Sequence, residues 1–294
     1  MLNSIGNTPL IELKKINELY NLKSKIYAKL EYLNPTGSVK DRTALGIIND
    51  LYTKNLINKN TTLVIPTSGN MGISLAYVGN KMGLKVIVTM PNNMGVERVE
   101  LIQSYNASVV LTKKEEGMEG AIKVAKEISN KDNYIFIDQF NNEANVLAHI
   151  NTGKEIYMQN NKIDYFINGI GSGGTITGVT KYLKSVNNNI KSIGIEPEES
   201  PLITKGYSNM HEIFGIGANF IPSILDLSII NEVERVSSED AIKYFKLLNK
   251  LENLECGISS GANLKVAIEI AQKNINKNIV IILPDKNDRY KTYL

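Results

Sequence analysis

The chain has 294 residues, with 33 Lys and Arg against 30 Asp and Glu, one Cys, two His and no Trp. That length accommodates about two domains whose cores need no disulfide or structural metal, and a composition 43% hydrophobic and 21% charged excludes global disorder. A formal charge of +3, spread along the chain, predicts no nucleic-acid footprint, and Cys256 with His149 and His211 makes a poor zinc set.

In chain order, short β-branched runs at 26–30, 62–65, 85–90, 108–111, 134–137, 165–168, 192–195 and 279–283 predict strands. Their apolar character is continuous, as in parallel strands covered on both faces. Helical patterns lie between them. Ala44, Ile47, Ile48 and Leu51 mark one buried face, and Leu264, Ala267, Ile268 and Ala271 another. The alternation predicts an α/β protein with parallel-rich sheets and helices on both faces. The opening segment MLNSIGNTPL has no basic stretch followed by an apolar run, and no run reaches the roughly 18 residues of a membrane span. A cytoplasmic protein without membrane contact is therefore expected.

Three loops of small polar residues open helical patterns: PTSGNMG at 66–72, GIGSGGT at 169–175 and GISSG at 257–261. Such loops offer unpaired N–H groups to an anionic ligand at the carboxyl ends of parallel strands. Gly169, Gly171 and Gly174 also satisfy G-x-G-x-x-G, and Glu196 ends the next predicted strand, so a dinucleotide is a competing ligand. The segment 257–261 matches G-x-S-x-G, with Ser259 in the nucleophile's place. Both histidines precede it, and that order excludes the hydrolase reading; capping of the following helix remains.

NPTGSVKDR at 34–42 places Lys40 in the first turn of a helix, where the macrodipole disfavours an ammonium. A lysine so placed has a lowered pKa or is held as a Schiff base. With this motif in hand, the chain resembles the cysteine synthase (O-acetylserine sulfhydrylase) family, to which cystathionine β-synthase cores are related. NPTGSVKDR, PTSGNMG, GIGSGGT, GIGANFIP and GISSG occur in the family's order, and the flanking SIGNTPL and LPDKNDRY extend the match over essentially the whole chain.

The resemblance implies a two-domain fold type II enzyme, similar to the tryptophan synthase β subunit, dependent on pyridoxal 5′-phosphate. It implies that Lys40 is the catalytic residue and binds the cofactor covalently. Asn70 would meet the ring hydroxyl; Gly171, Ser172, Gly173, Gly174 and Thr175 the phosphate; and Ser259 the ring nitrogen. Thr67, Ser68 and Gln139 would hold the substrate carboxylate. Met71 stands where a threonine is usual, keeping its backbone N–H but losing a hydroxyl donor, and Asn219 stands where glycine is common on the substrate side. No metal is implied.

The expected smaller domain spans 35–144, with Lys40 and the asparagine loop. The larger combines 1–34 with 145–294 and carries the phosphate loop and Ser259. The expected reaction is β-replacement on an L-amino acid: O-acetyl-L-serine and sulfide give L-cysteine and acetate. An alternative uses L-cysteine, releasing hydrogen sulfide and forming serine, lanthionine or cystathionine. A third reading is a weakly active homologue that serves as a binding partner. The resemblance also implies a homodimer and a serine acetyltransferase as a candidate partner, and from the ends of the chain neither a regulatory tail nor a haem-binding extension is expected.

Overall fold

The structure, a computed structural model, describes residues 2–93 and 95–294. In chain order it begins with β1 (Leu10–Glu12), α1 (Lys14–Leu19) and β2 (Lys25–Leu30). There follow α2 (Lys40–Thr53), β3 (Thr62–Pro66), α3 (Asn70–Lys81), β4 (Lys85–Pro91), α4 (Val96–Ser104), β5 (Ser108–Thr112), α5 (Gly117–Ser129) and β6 (Tyr134–Phe136). The remainder is α6 (Glu143–Gln159), β7 (Tyr165–Gly169), α7 (Gly174–Val186), β8 (Lys191–Pro197), α8 (Leu202–Lys205), β9 (Glu232–Val236), α9 (Ser238–Leu247), α10 (Ile258–Lys273) and β10 (Asn278–Leu283). No helix among the described residues is long and apolar enough to cross a membrane.

The chain divides into two compact units. One comprises the residues up to Ile5 with Lys40–Asn145, the other Gly6–Val39 with Val146–Leu294. The expected border after residue 34 thus falls at 39/40. Residues 34–39 are tied to the second unit by backbone hydrogen bonds: Val39 N–H donates to Pro284 O at 2.8 Å, and Lys286 N–H to Gly37 O at 3.0 Å.

The first unit holds a four-stranded sheet in the order β5-β4-β3-β6, all parallel. Its central strand β3 is buried along almost its whole length, which is why its sequence, TLVIP, lacks polar alternation. Helix α2 packs Ala44, Ile47 and Ile48 into this unit's core beside Leu63, Ile65, Leu75 and Val88. Each isoleucine, leucine or valine so withdrawn from water contributes roughly 1.5–3 kcal/mol before chain entropy is counted. The order reverses at β3: β4 and β5 lie on one side and β6 on the other. The loops after β3 and β6 therefore leave adjacent carboxyl ends at a topological switch point, where open α/β sheets bind ligands.

The second unit holds six strands in the order β1-β2-β10-β7-β8-β9, with only the β1–β2 pair antiparallel. Its switch point lies between β10 and β7. Helix α10 is buried nearly all round and packs Leu264, Ala267, Ile268 and Ala271 onto the sheet. Strands β1 and β9 were not predicted. The first has three residues, and the second, EVERV, lies at the sheet edge, where charged side chains are tolerated.

Candidate active site

In the first unit, the segment after β3 forms the expected loop. Thr67 is buried; its N–H donates to Thr89 O at 3.0 Å, and its Oγ1 accepts Gly69 N–H at 3.2 Å. Arg98 on α4 donates to the Ser68 carbonyl. Gly69, extended at φ −113°, is the N-cap of α3, so Asn70 and Met71 occupy its first turn. The Met71 side chain is buried in the hydrophobic core, so only its backbone faces the helix start. The first turn of any helix carries N–H groups without intrahelical partners, and its dipole favours an anion there.

Gln139 follows β6 at the neighbouring carboxyl end and is 8% exposed. Its loop is shaped by Asp138, whose Oδ1 accepts Phe140 N–H at 2.8 Å and Asn141 N–H at 3.2 Å. Asn145 Nδ2 donates to the Gln139 carbonyl at 2.8 Å. The same side chain's Oδ1 accepts the Thr43 hydroxyl at 3.1 Å, coupling this loop to the helix that starts with Lys40. Lys40 is the first residue of α2, and burial pulls its ammonium down to about 8 from 10.5. About one such lysine in ten is neutral at pH 7, against about one in three thousand at pKa 10.5.

In the second unit, the loop from Gly169 to Thr175 links β7 to α7. Gly173 is the N-cap of α7, with φ +85°, a conformation suited to glycine. A Cβ on Gly171 would lie 2.3 Å from the Gly215 carbonyl oxygen, so only glycine permits this approach. The loop at 215–217 is fixed against it, with Gly217 N–H donating to Ile170 O at 2.9 Å. Ser172 is buried, and Asn219 further along is exposed.

Ser259 is 3% exposed and is the second residue of α10. Gly257 N–H donates to Asp285 O at 2.8 Å, bringing this helix start to the carboxyl end of β10. Both glycines of GISSG are packing residues. A Cβ would lie 2.2 Å from Asp285 Oδ1 at position 257, and 2.0 Å from Ala241 O at position 261. The second unit thus gathers the Gly169 loop and the Ser259 helix start at the ends of adjacent strands β7 and β10.

Glu196, the acidic residue of the dinucleotide reading, is 2% exposed and already engaged. Its carboxylate accepts Ile203 N–H at 2.7 Å and Thr204 N–H at 3.0 Å, capping α8. Buried against the start of α8, that carboxylate serves the helix rather than a ribose. The loop at 169–175 retains its capacity for phosphate.

Residues 1–285 match the family described as pyridoxal-phosphate dependent enzyme. The chain belongs to that family. It is 45% identical over 289 residues to cysteine synthase B of Campylobacter jejuni, covering 97% of this chain and 94% of the relative. Among solved structures, cysteine synthase of Entamoeba histolytica superimposes with a TM-score of 0.96 at 35% identity, covering 99% of this chain and 88% of that one. A hydrogen sulfide-producing enzyme of Fusobacterium nucleatum gives 0.92 at 36% identity, with 98% of each chain covered. The fold is therefore fold type II, and pyridoxal phosphate is the cofactor of this family member.

The residues fit that cofactor. A lysine with a lowered pKa can form an imine with an aldehyde. The Gly171 cradle, closed to any side chain, sits at a helix N-terminus suited to a phosphate dianion. Ser259 supplies a neutral hydroxyl in a buried setting.

Two residues at these loops were absent from the predicted set. Asn145 is one. The other is His149, fully buried, with Nε2 3.3 Å from Thr175 Oγ1 and Nδ1 3.2 Å from Thr152 Oγ1. No spacing in the sequence marks either, because each acts through a partner on another helix or loop.

Proposed function

We propose that the protein is a cysteine synthase, converting O-acetyl-L-serine and sulfide to L-cysteine and acetate. The observation that carries this reading is Lys40: an amine at a helix start, brought by burial to about 8, in a member of the pyridoxal-phosphate dependent enzyme family. The names of the relatives support the substrate.

In this reading Lys40 holds the cofactor. Residues Gly171, Ser172, Gly173, Gly174 and Thr175 bind its phosphate, Asn70 meets the ring hydroxyl, and Ser259 faces the ring nitrogen. When bound, the cofactor supplies a conjugated electron sink for the substrate α-carbon. Thr67, Ser68, Gln139 and the backbone of Met71 hold the substrate carboxylate, helped by the positive end of the α3 dipole. Asn219 is assigned to the substrate side of its loop. The freed Nζ of Lys40 takes the proton from Cα. The Cβ–O bond then breaks and acetate leaves with its electron pair. Hydrosulfide forms the new Cβ–S bond, and Lys40 Nζ returns the proton to Cα. Because Ser259 is a hydroxyl, it does not enforce a protonated ring nitrogen.

The likeness to a hydrogen sulfide-producing enzyme supports a second reading, with L-cysteine as the substrate that releases sulfide. A homodimer and a serine acetyltransferase partner belong to the same proposal on the strength of the family resemblance, and a cytoplasmic location on the sequence expectation. Product analysis decides between the substrates. Purified enzyme given O-acetylserine and sulfide is expected to form cysteine and acetate with a higher kcat/KM than it releases sulfide from L-cysteine alone. The reverse ratio would replace the first reading with the second.

A further inference from the structure

Thr175 is the second residue of α7, and its hydroxyl lies 3.3 Å from Nε2 of His149 on α6. The opposite ring nitrogen, Nδ1, lies 3.2 Å from the Thr152 hydroxyl. His149 and Thr152 are both fully buried. Two glycines permit this approach. A Cβ on Gly178, one turn beyond Thr175, would lie 2.3 Å from the Val146 carbonyl oxygen and 2.8 Å from His149 Cβ. On α6, a Cβ on Gly153 would lie 2.9 Å from Tyr182 Cβ and 3.0 Å from the Val179 carbonyl oxygen. The two helices therefore cross at backbone contact, and the imidazole comes to rest behind the loop.

A threonine hydroxyl carries one proton and two lone pairs. In the tautomer in which the buried Thr152 hydroxyl donates to His149 Nδ1, that nitrogen is the acceptor. The same tautomer carries its ring proton on Nε2 and donates it to Thr175 Oγ1. With one lone pair so occupied, the Thr175 proton is directed away from the ring, available to an anionic oxygen at the start of α7.

We propose that His149 is a positioning residue for phosphate recognition. The chain Thr152–His149–Thr175 orients the Thr175 hydroxyl as a donor to the cofactor phosphate before the cofactor arrives. This rests on the assignment of 171–175 to the phosphate. The ligand class is a phosphate monoester; a ligand without the phosphate does not sense the device.

The test compares apoenzyme affinities for pyridoxal phosphate and for pyridoxal, which lacks the phosphate, in the full chain. Thr175→Val tests the phosphate assignment, and His149→Leu, His149→Gln and Thr152→Val test the inference. Thr175→Val should weaken pyridoxal phosphate binding by about tenfold or more, with pyridoxal unchanged, as expected for a lost charge-assisted hydrogen bond. His149→Leu should weaken it in the same selective way. His149→Gln, whose Nε2 amide can donate to Thr175, should restore most of the loss, and Thr152→Val should lie between. If Thr175→Val is selective and His149→Leu leaves the ratio unchanged, or lowers both affinities equally, the inference is overturned and the phosphate assignment stands. If Thr175→Val leaves the ratio unchanged, both fail. Should His149→Leu not fold, the near-isosteric Thr152→Val carries the same comparison, and an unchanged ratio there overturns the inference.

Discussion

Thr43 donates its hydroxyl to Asn145 Oδ1 at 3.1 Å, tying the helix that begins with Lys40 to the loop that presents Gln139. Asn145 is fully buried, and its side chain accepts from Thr43 at Oδ1 while donating to Gln139 from Nδ2. Asn145→Leu should therefore loosen Gln139 without touching substrate. The expected result is a rise of a few-fold to about tenfold in KM for the amino acid, with a stability loss of about 1–3 kcal/mol for two buried hydrogen bonds. Steady-state kinetics and denaturant melts of the two proteins provide the check, and an unchanged KM would show that Gln139 is placed by its own loop alone.

The Gly171 cradle predicts a steric effect. In Gly171→Ala the new methyl meets the Gly215 carbonyl oxygen at 2.3 Å, so the backbone has to move. Displacement of a packed loop of this kind costs about 1–3 kcal/mol. Affinity for pyridoxal phosphate should fall more than affinity for pyridoxal, as measured by titration of the apoenzyme. Equal affinities for wild type and variant would place the phosphate elsewhere.

Burial of Lys40 gives the apoenzyme a defined pH dependence. The folded pKa of about 8 lies below the unfolded 10.5, so the native state binds fewer protons between those values. Stability then rises with pH across that window, by at most about 3 kcal/mol, and below pH 8 the full cost of the buried ammonium is present. Lys40→Met lacks the group. The difference in unfolding free energy between wild-type and Lys40→Met apoenzymes should shift in favour of wild type from pH 8 to pH 10.5. A flat difference would mean that Lys40 titrates normally.

Ser259→Asp should fold, because a carboxylate in the first turn of α10 is favoured by the helix dipole. Turnover should fall by about tenfold or more, since a carboxylate beside the ring nitrogen favours its protonated form and alters the electron sink. Ser259→Ala, which adds no charge, should be less impaired. Turnover and the cofactor absorption spectrum of both variants read this out; equal, undiminished rates would confine Ser259 to capping its helix.

Much of the architecture was legible because buried parallel strands advertise themselves as continuous apolar runs, and all eight predicted strands occur. Strand β9 was not legible, since EVERV at an edge has no need of that pattern. The glycine loops could be read because close approach and a left-handed turn leave no alternative residue at Gly171 and Gly173. What glycines at 257 and 261 serve could not be read, because Asp285 and Ala241, which exclude a side chain there, lie far away in sequence. The same holds for Asn145, whose partner Thr43 is 102 positions distant. Glu196 had the spacing of a ribose ligand, and only the backbone of α8 shows where its carboxylate is used. Asn219, expected on the substrate side, is exposed on its loop, so its effect on substrate choice rests on kinetics rather than on packing.

The central claim is that the enzyme works through a cofactor held by Lys40, and trapping that bond tests it most directly. Borohydride reduces a carbon–nitrogen double bond to a stable secondary amine. The holoenzyme, reduced, digested and analysed by mass spectrometry, should carry one phosphopyridoxyl group, on the peptide containing Lys40, and Lys40→Ala should carry none there. A group found on another lysine, or on none in a protein shown to be active, would contradict the account.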